Sequence, residues 1–380
     1  MKKKYIILSI ITLVLLIAFV TSFNYFKTSN TYVENNSNNQ TKITKGISMN
    51  LEKTAGAGDY KQVTQSSWPT EGYKFNAELS KCENGGEISW DDTKKAVIVS
   101  GNLSDKCYVY FDIYQLTLAE YIKSQYTGTQ GENNIYYHDS SLANGAGDNS
   151  YRYAGASDSV NNYICLGSDA TTCPDANLFR IIGVFGNQTK VIRAKSVGYQ
   201  QWHTSADNTW SSSSLNAYLN GTYLTSLGTI AEKIATTTWK VGGGSGSNIS
   251  ASVPKTAYKN EVGSSASTTI IDKKIGLMYV SDYGFAASPS AWTKTLGDYD
   301  GTDANGTSIK TINWMYMGYN EWTISRTSGS SNRAFDVDHI GNVHGSSVGN
   351  NYGVRPSFNL ESSVKYVSGS GSMSDPVRVN

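Results

Sequence analysis

Two histidines near the C-terminus are placed so that they could bind a metal ion. The Gly-Asn pair at 341–342 is typical of a two-residue hairpin turn, which would pair Ile340 with Val343. His339 would then face His344 across the two strands, with Cβ atoms about 5 Å apart. Two imidazoles at this distance suit Zn²⁺, but their strand face offers no third ligand. The pattern therefore favours an exposed hairpin over a zinc site.

An acidic, glycine-rich segment at residues 298–306 offers oxygen ligands to a calcium ion. Asp298, Asp300 and Asp303 carry its carboxylates, and Ca²⁺ prefers oxygen ligands. The segment lacks the sixth-position glycine and the closing glutamate of an EF-hand loop. It also lacks the Glu-Pro-Asn and Gln-Pro-Asp triplets of calcium-dependent sugar-binding lectins. We favour an ordinary polar turn and expect no cofactor, with calcium as the open alternative.

The sequence predicts no catalytic residue. Serines are abundant, but none lies in a Gly-x-Ser-x-Gly nucleophile elbow. Arg355 could be mistaken for a catalytic cation, but its five N–H donors suit a structural role that ties a closing strand to loop carbonyls. We therefore expect a protein without enzymatic activity and leave an enzyme as the alternative.

The four cysteines, Cys82, Cys107, Cys165 and Cys173, predict two disulfide bonds. An even number of cysteines is typical of a chain in an oxidising compartment outside the cytoplasm. Three pairings are open, and we expect Cys82–Cys107 and Cys165–Cys173 because each pair lies within one local segment. The spacings lack the Cys-x-x-Cys knuckle of a zinc site, and free thiols are the alternative in a reducing compartment.

The amino-acid composition also predicts a protein outside the cytoplasm. The chain has 380 residues with 32 Lys and Arg against 31 Asp and Glu, so it has no basic patch for nucleic acid on the scale that such partners require. Only 17% of the residues are charged, while 49 Ser, 34 Thr and 32 Asn make it polar. Aromatic residues reach 12%, which is too many for a disordered chain. This composition is typical of an extracellular β-rich protein.

Residues 1–27 are predicted to be a transmembrane anchor or a signal peptide. Three lysines at 2–4 precede an uncharged, apolar stretch that runs to residue 23. About 20 apolar residues span a bilayer as a helix, and the lysines favour a cytoplasmic N-terminus. We favour a single-pass anchor in the cell membrane with the bulk of the chain outside, and secretion after signal cleavage is the alternative. The Asn-rich residues 28–45 predict a flexible stalk.

Three segments follow the stalk. Residues 46–112 alternate short apolar runs with turns, which predicts a small β module stapled by the first disulfide. Residues 113–150 contain a helix, introduced by a Thr-x-x-Glu capping box at 117–120, and a Gly/Asn/Ser-rich linker. Residues 151–380 predict one larger domain. The pattern does not assign residues 113–150 to either neighbour.

A series of motifs in the C-terminal third carries a family resemblance. A strand around Trp322 is followed by the Gly-Asn hairpin, the Gly-Val-Arg-Pro run at 353–356 and a closing strand. This series resembles the C-type-lectin-like domains of bacterial surface proteins, a group that includes formylglycine-generating-enzyme-like domains. The chain is more closely similar to uncharacterised membrane-anchored surface proteins of Gram-positive bacteria, through runs that include Lys81-Cys82, Asn161-Asn162-Tyr163, Leu277-Met278-Tyr279-Val280-Ser281-Asp282-Tyr283-Gly284 and Ser370-Gly371-Ser372.

The resemblance implies an α+β fold in which residues 151–380 form a mixed α/β lectin-like domain. It also implies recognition or adhesion at the cell surface, with a glycan or a surface protein bound by the loops of that domain. One alternative is an enzyme or accessory domain of the formylglycine-generating type without its catalytic cysteines, because no cysteine follows Cys173. Another is a structural cell-envelope protein without a ligand. Six tryptophans outnumber what packing obviously needs, although most are expected in the core: Trp202, Trp210, Trp239, Trp292, Trp314 and Trp322.

Overall fold

The computed structural model of the protein describes residues 46–64, 67–69, 72–101, 105–244, 249–263 and 268–380. The chain divides into two compact units, with the boundary between Gln115 and Leu116. Strands account for 35% of the structure and helices for 19%, so the chain is mostly β. The expected α+β class with a mixed α/β lectin-like domain is therefore wrong. The described α-helices have at most eight residues, whereas runs rich in Val, Ile, Thr and Tyr pair into sheets.

The predicted membrane segment, residues 1–27, and the predicted stalk, residues 28–45, lie outside the described residues. Within the part of the chain that the structure describes, none of the helices has the length and apolar character needed to cross a bilayer. Membrane anchoring therefore stays a prediction from the sequence.

The first unit is built from six described strands. They are β1 (Ile47–Glu52), β2 (Tyr60–Val63), β3 (Tyr73–Cys82), β4 (Glu87–Asp91), β5 (Ala96–Ser100) and β6 (Cys107–Ile113). Four of them form a sheet in the order β2-β1-β6-β3, and β4 and β5 form a separate hairpin. Alternating burial along β5 and β6 places side chains such as Val97, Val109 and Phe111 in a shared apolar core.

The first disulfide joins two neighbouring strands of this unit. Cys82 at the end of β3 lies directly opposite Cys107 at the start of β6, and the two are bonded as predicted. The apolar core around them has only nine buried residues in the described part of the unit. A small core of this kind supplies little stability, so the covalent link has a clear structural role.

The second unit contains sixteen described strands. They are β7 (Ile135–His138), β8 (Ser150–Tyr153), β9 (Tyr163–Cys165), β10 (Leu178–Phe185), β11 (Gln188–Arg193), β12 (Tyr199–Gln201), β13 (Thr237–Lys240), β14 (Ile270–Lys273), β15 (Ile275–Gly276), β16 (Glu321–Arg326), β17 (Arg333–Val337), β18 (Val343–Ser347), β19 (Asn351–Gly353), β20 (Ser357–Asn359), β21 (Tyr366–Ser368) and β22 (Val377–Val379).

These strands form a nine-stranded sheet, a five-stranded sheet and a two-stranded ribbon. The nine-stranded sheet has the order β15-β20-β11-β10-β9-β22-β21, with β8 pairing β10 and β7 pairing β8. The five-stranded sheet has the order β12-β19-β16-β17-β18, and β13 pairs with β14. The central hairpin of β10 and β11 is buried along nearly its whole length, as a run without polar alternation predicts.

Five short α-helices are described in the second unit. They are α1 (Leu118–Ser124), α2 (Ser214–Tyr218), α3 (Leu224–Ser226), α4 (Pro254–Glu261) and α5 (Val280–Ala286). The Thr-x-x-Glu pattern before α1 forms a capping box between Thr117 and Glu120, and the helix buries its apolar side. The unit begins at Leu116, so α1 and the segment that follows it belong to the second unit.

The second disulfide closes a short loop in this unit. Cys165, the last residue of β9, is bonded to Cys173, which precedes β10. Both predicted pairings are therefore confirmed, and the described chain has no free cysteine.

Candidate functional site

The two C-terminal histidines do not face each other. In the hairpin of β17 and β18, Asp336 pairs with His344 and Val337 pairs with Val343. The turn is five residues long because the Asp338 carboxylate accepts the N–H groups of Ile340 and Asn342, each at 2.9 Å. The expected facing of His339 and His344 is therefore wrong, since a capped five-residue turn shifts the register that a two-residue turn would give.

The partner of His344 is a buried carboxyl group. Its Nδ1 lies 3.6 Å from Oδ2 of Asp336, whose side chain is fully buried while the imidazole is half exposed. Burial raises the pKa of Asp336 to about 6, and His344 opposes this shift only in part. One histidine and one buried carboxyl do not make a metal site, and no group of three His, Cys, Asp or Glu among the described residues could hold a metal ion.

The acidic segment at 298–306 uses its carboxylates to close turns. Asp303 is buried, and its Oδ1 accepts the N–H groups of Asn305 and Thr307 at 2.9 and 2.8 Å. A hydrogen bond from Ser290 and these backbone N–H groups lower the pKa of Asp303. Asp298 accepts the hydroxyl of Thr295. Asp300 takes part through its backbone N–H, which donates to Oδ1 of Asn342 at 2.8 Å. The carboxylates of Asp298 and Asp303 therefore serve turn geometry, whereas Asp300 contributes its backbone N–H.

Arg355 forms a buried ion pair. Its Nε and one terminal nitrogen donate to the two carboxylate oxygens of Glu321 at 2.6 and 2.8 Å, and the same terminal nitrogen reaches the carbonyl of Met315 at 2.8 Å. Both side chains are almost completely buried. The contacts are those of a structural cation that joins β16 to the strand-closing Gly-Val-Arg-Pro run.

None of the six tryptophans of the second unit is available as an exposed stacking platform. Each is at most 1% exposed, and five of their indole N–H groups donate to backbone carbonyls. Their number is therefore explained by packing. Among the described tyrosines, Tyr199 is prominent with 60% exposure.

Five ionisable side chains meet inside the second unit, and we call them the buried charge cluster. They come from β8, β11, α4, α5 and the segment before β8: Asp148, Arg152, Lys190, Glu261 and Asp282. Lys190 lies 2.5 Å from Oδ2 of Asp282, and Arg152 lies 3.6 Å from the other oxygen of the same carboxylate. Sequence patterns do not predict this cluster, because its members are spread over 135 positions, from 148 to 282.

Aromatic rings surround the ammonium group of Lys190. Its Nζ lies 4.7, 5.4 and 5.8 Å from the ring centres of Tyr279, Trp239 and Phe185. Burial lowers the pKa of Lys190 although the carboxylate of Asp282 opposes the shift. This is the environment in which a lysine approaches its neutral, nucleophilic form.

Glu261, the last residue of α4, contacts the start of α5, the helix that contains Asp282. Its carboxylate accepts the N–H groups of Val280 and Ser281 at 2.9 and 2.8 Å, and it accepts the hydroxyl of Ser325. Burial raises the pKa of Glu261. A carboxyl group at this position satisfies the first N–H groups of the helix, so Glu261 helps to hold Asp282 in place.

A cavity of about 180 Å³ adjoins the buried charge cluster. Its wall includes the side chains of Arg152, Lys190 and Asp282, together with the rings of Tyr258 and Tyr279. Ligand sites for small molecules usually measure about 300–1,000 Å³, so this cavity is small for a ligand. It has room for several water molecules.

A larger depression, which we call the surface groove, lies between two loops of the second unit. Its volume is about 390 Å³. Five of its eight lining side chains carry a hydroxyl, amide or carboxylate group, and the others are one aromatic ring and two apolar side chains: Ser157, Asp158, Val160, Asn161, Tyr163, Ser372, Met373 and Ser374. Most of these side chains are exposed.

A buried arginine organises one side of the surface groove. The guanidinium of Arg180 donates to the hydroxyl of Ser157 at 2.8 Å and to the carbonyl of Val160 at 3.0 Å. It also lies 4.3 Å from the ring centre of Tyr163, which it supports from one side. The loop is therefore held in shape without a ligand.

The two loops of the groove are joined through a glycine. The N–H of Tyr163 donates to the carbonyl of Gly371 at 2.8 Å. A Cβ atom at Gly371 would lie 2.4 Å from the carbonyl oxygen of Asn161, and its φ is +83°, so only glycine fits there. The runs Asn161-Asn162-Tyr163 and Ser370-Gly371-Ser372, which the sequence singles out, thus form one site.

Part of the chain matches a known protein family. Residues 186–362 are similar to a family described as a domain of unknown function, DUF6273. No curated protein and no solved structure matches the chain. The matched segment includes Lys190, Glu261 and Asp282 of the buried charge cluster, whereas the loops of the surface groove lie outside it.

Proposed function

We propose that this protein is an extracytoplasmic recognition protein that binds a carbohydrate in the surface groove. The observation that carries the proposal is the composition of the groove wall, which combines hydroxyl, amide and carboxylate groups with one tyrosine ring and apolar surface. Its volume of about 390 Å³ falls within the usual range for ligand sites, unlike the smaller buried cavity.

The groove matches the chemistry of a sugar. Asp158 and Asn161 are exposed and offer acceptor and donor atoms to sugar hydroxyls. The ring of Tyr163 is half-buried and backed by Arg180, so it can offer its other side to the apolar face of a pyranose. Preformed loops bind with a smaller entropy cost, which favours recognition by this groove.

We infer the cellular location of the protein from its disulfides and its N-terminal sequence. Two disulfides are typical of proteins outside the cytoplasm, and the apolar stretch within residues 1–27 favours attachment to the cell membrane. A surface position would give the groove access to glycans of the same cell or of another. Adhesion through a glycan is therefore the role that we infer.

A glycan array probed with the full-length protein tests the proposal. We expect binding that falls about fivefold in Tyr163→Leu, because an aromatic contact contributes about 1 kcal/mol beyond apolar burial. Asp158→Ala should also weaken binding. Tyr199→Ala is the matched control, because Tyr199 is an exposed tyrosine outside the groove, and it should bind like the unchanged protein.

Two results would overturn the proposal. One is the absence of binding to every glycan on the array, with or without Ca²⁺. The other is binding that Tyr163→Leu and Asp158→Ala leave unchanged, which would place the ligand elsewhere. Binding to host proteins but to no glycan would replace a carbohydrate with a protein partner.

A further inference from the structure

We propose that the side chains of Lys190 and Asp282 are joined by an intramolecular amide bond. The two groups meet in the buried charge cluster, where Nζ of Lys190 lies 2.5 Å from Oδ2 of Asp282. Their side chains are only 6% and 3% exposed. The proposal is independent of carbohydrate binding, because neither residue lines the surface groove.

The amine of Lys190 is prepared as a nucleophile. Asp282 is the one hydrogen-bond acceptor that the described residues place at Nζ, and the rings of Tyr279, Trp239 and Phe185 surround the rest of the group. Burial lowers the pKa of the ammonium, so the neutral amine is more accessible than in water. A desolvated lysine of this kind is a known type of covalent nucleophile in proteins.

The carboxyl group of Asp282 is prepared as the electrophile. Its Oδ2 accepts the N–H of Tyr279 at 2.9 Å, and its Oδ1 lies 3.6 Å from a guanidinium nitrogen of Arg152. A fixed cation and a fixed N–H donor stabilise the negative charge that develops on a carboxyl oxygen during attack. Asp148 holds Arg152 in position through a contact of 2.6 Å.

The reaction is a condensation within the pair. A proton first moves from Nζ of Lys190 to the carboxylate of Asp282, which gives two neutral groups that burial favours over two charges. The lone pair of Nζ then attacks Cγ of Asp282 and forms the C–N bond. The tetrahedral carbon loses its hydroxyl group, which departs as water with a proton from the nitrogen. One C–N bond forms, one C–O bond breaks, and no oxidant or reductant is needed.

The surroundings permit this reaction. The adjoining cavity of about 180 Å³ can receive the departing water, which occupies about 30 Å³ in the liquid. Lys190 lies on the central strand β11, and Asp282 lies in α5, whose first N–H groups are capped by Glu261. Both partners are therefore held in contact by elements of regular structure, so the amine and the carboxyl group do not have to find each other by diffusion.

A second Lys–Asp pair in the chain shows whether proximity alone is enough for the reaction. Lys195 lies 2.6 Å from Asp175, so this pair has nearly the same separation as Lys190 and Asp282. Its side chains are 57% and 66% exposed, however, so water surrounds both groups and screens their interaction. Burial is thus the variable that distinguishes the two pairs, and only the buried pair should react.

Peptide mapping of the folded full-length protein by mass spectrometry tests the proposal. After reduction and proteolysis, we expect the peptides that contain Lys190 and Asp282 to appear as one branched species. Its mass should be lower than the sum of the two peptides by one water molecule, and fragmentation should locate the bond between the two side chains. The peptides of Lys195 and Asp175 should show no such link.

The variant Lys190→Met should have an intact mass without the loss of water and yield two separate peptides. Recovery of unlinked Lys190 and Asp282 peptides from the folded, protease-resistant unchanged protein would overturn the proposal. A link from Lys190 to another residue would do the same. The decisive measurement uses the unchanged chain, so a folding defect in Lys190→Met would not affect the outcome. Failure of the glycan array would leave this result untouched.

Discussion

Two of the buried ion pairs of the second unit, Arg355 with Glu321 and Lys190 with Asp282, differ in the residue that supplies the cation. Arg355 grips both oxygens of Glu321, and although burial opposes it, that carboxylate raises the pKa of the guanidinium. An arginine therefore stays charged and forms a permanent ionic clamp. Among the described residues, Asp282 is the one hydrogen-bond acceptor of Lys190. Burial lowers the pKa of the Lys190 ammonium. A lysine can lose its proton, which is why only this pair has covalent chemistry open to it.

At the same scale, Asp336 predicts an unusual pH dependence of stability. Its pKa of about 6 in the folded state exceeds the ordinary value of 3.8, so folding favours the protonated carboxyl group. The stabilisation is complete below about pH 4 and is lost as the pH rises through 6. We expect this residue alone to lower the free energy of unfolding by about 2–3 kcal/mol between pH 4 and pH 7.

Asp336→Asn should remove that decrease, because the amide does not titrate. Denaturant unfolding of both proteins at pH 4, 5, 6 and 7 measures the effect as the difference between the two curves. Asp158→Asn, at an exposed carboxylate, is the control and should keep the decrease. A constant difference between Asp336→Asn and the unchanged protein across this range would contradict the assignment.

At the scale of elements, a close approach of β8 to β10 brings Arg152 into the buried charge cluster. Gly183 in β10 pairs with Arg152 in β8, next to a shift in the register between β10 and β11. A Cβ atom at Gly183 would lie 2.3 Å from the carbonyl oxygen of Tyr151. Any side chain there would push the two strands apart, because this contact involves backbone that has no room to yield.

Gly183→Ala should therefore destabilise the second unit by about 1–3 kcal/mol, the usual cost of overpacking. Gly221→Ala provides the matched control. Gly221 lies in the helical segment between α2 and α3, has no heavy atom within 4 Å of a Cβ position and does not have a positive φ. That variant should be neutral or more stable by up to about 1 kcal/mol. Thermal or denaturant unfolding would distinguish the two, and equal effects would refute the close-approach argument.

At the scale of the whole molecule, each of the two units carries one disulfide but relies on it to a different degree. The first unit has a core of nine buried apolar residues in its described part, whereas the core cluster of the second unit runs through all its major strands. The sequence separation is 25 residues for Cys82–Cys107 and 8 for Cys165–Cys173. A longer loop constrains the unfolded chain more strongly.

Replacing Cys82 and Cys107 by serine should cost the first unit about 3.5 kcal/mol and unfold much of it at 37 °C. Replacing Cys165 and Cys173 should cost the second unit about 2.5 kcal/mol and leave it folded, because its core is larger. Limited proteolysis followed by mass spectrometry would identify which unit is cut in each variant. Cleavage of the second unit first in the Cys82→Ser, Cys107→Ser protein would contradict this expectation.

Local features were predictable from the sequence. The disulfide pairing followed from the clustering of Cys82 with Cys107 and of Cys165 with Cys173, and the capping box of α1 followed from the Thr-x-x-Glu spacing. The buried hairpin of β10 and β11 likewise consists of two apolar runs that flank Gly186 and Asn187. These features depend on residues that are close in sequence, where spacing and side-chain type determine the backbone directly.

The predictions that failed depended on longer-range information. The mixed lectin-like class was wrong because paired strands extend through segments whose partners are far away in the chain, such as β9 with β22. The facing of His339 and His344 was wrong because the carboxylate of Asp338 sets a longer turn. In both cases the sequence allowed several pairings, and packing selected one.

The sequence by itself determined the near-neutral net charge and the local pairing of the cysteines, because composition and short spacings carry that information. The location outside the cytoplasm stays a prediction. Only the tertiary structure decided which charges meet. Lys190 and Asp282 are 92 positions apart, and the two loops of the surface groove are more than 200 positions apart. Such contacts form when sheets bury apolar faces and bring distant segments together. The hydrophobic periodicity of a single segment does not predict them.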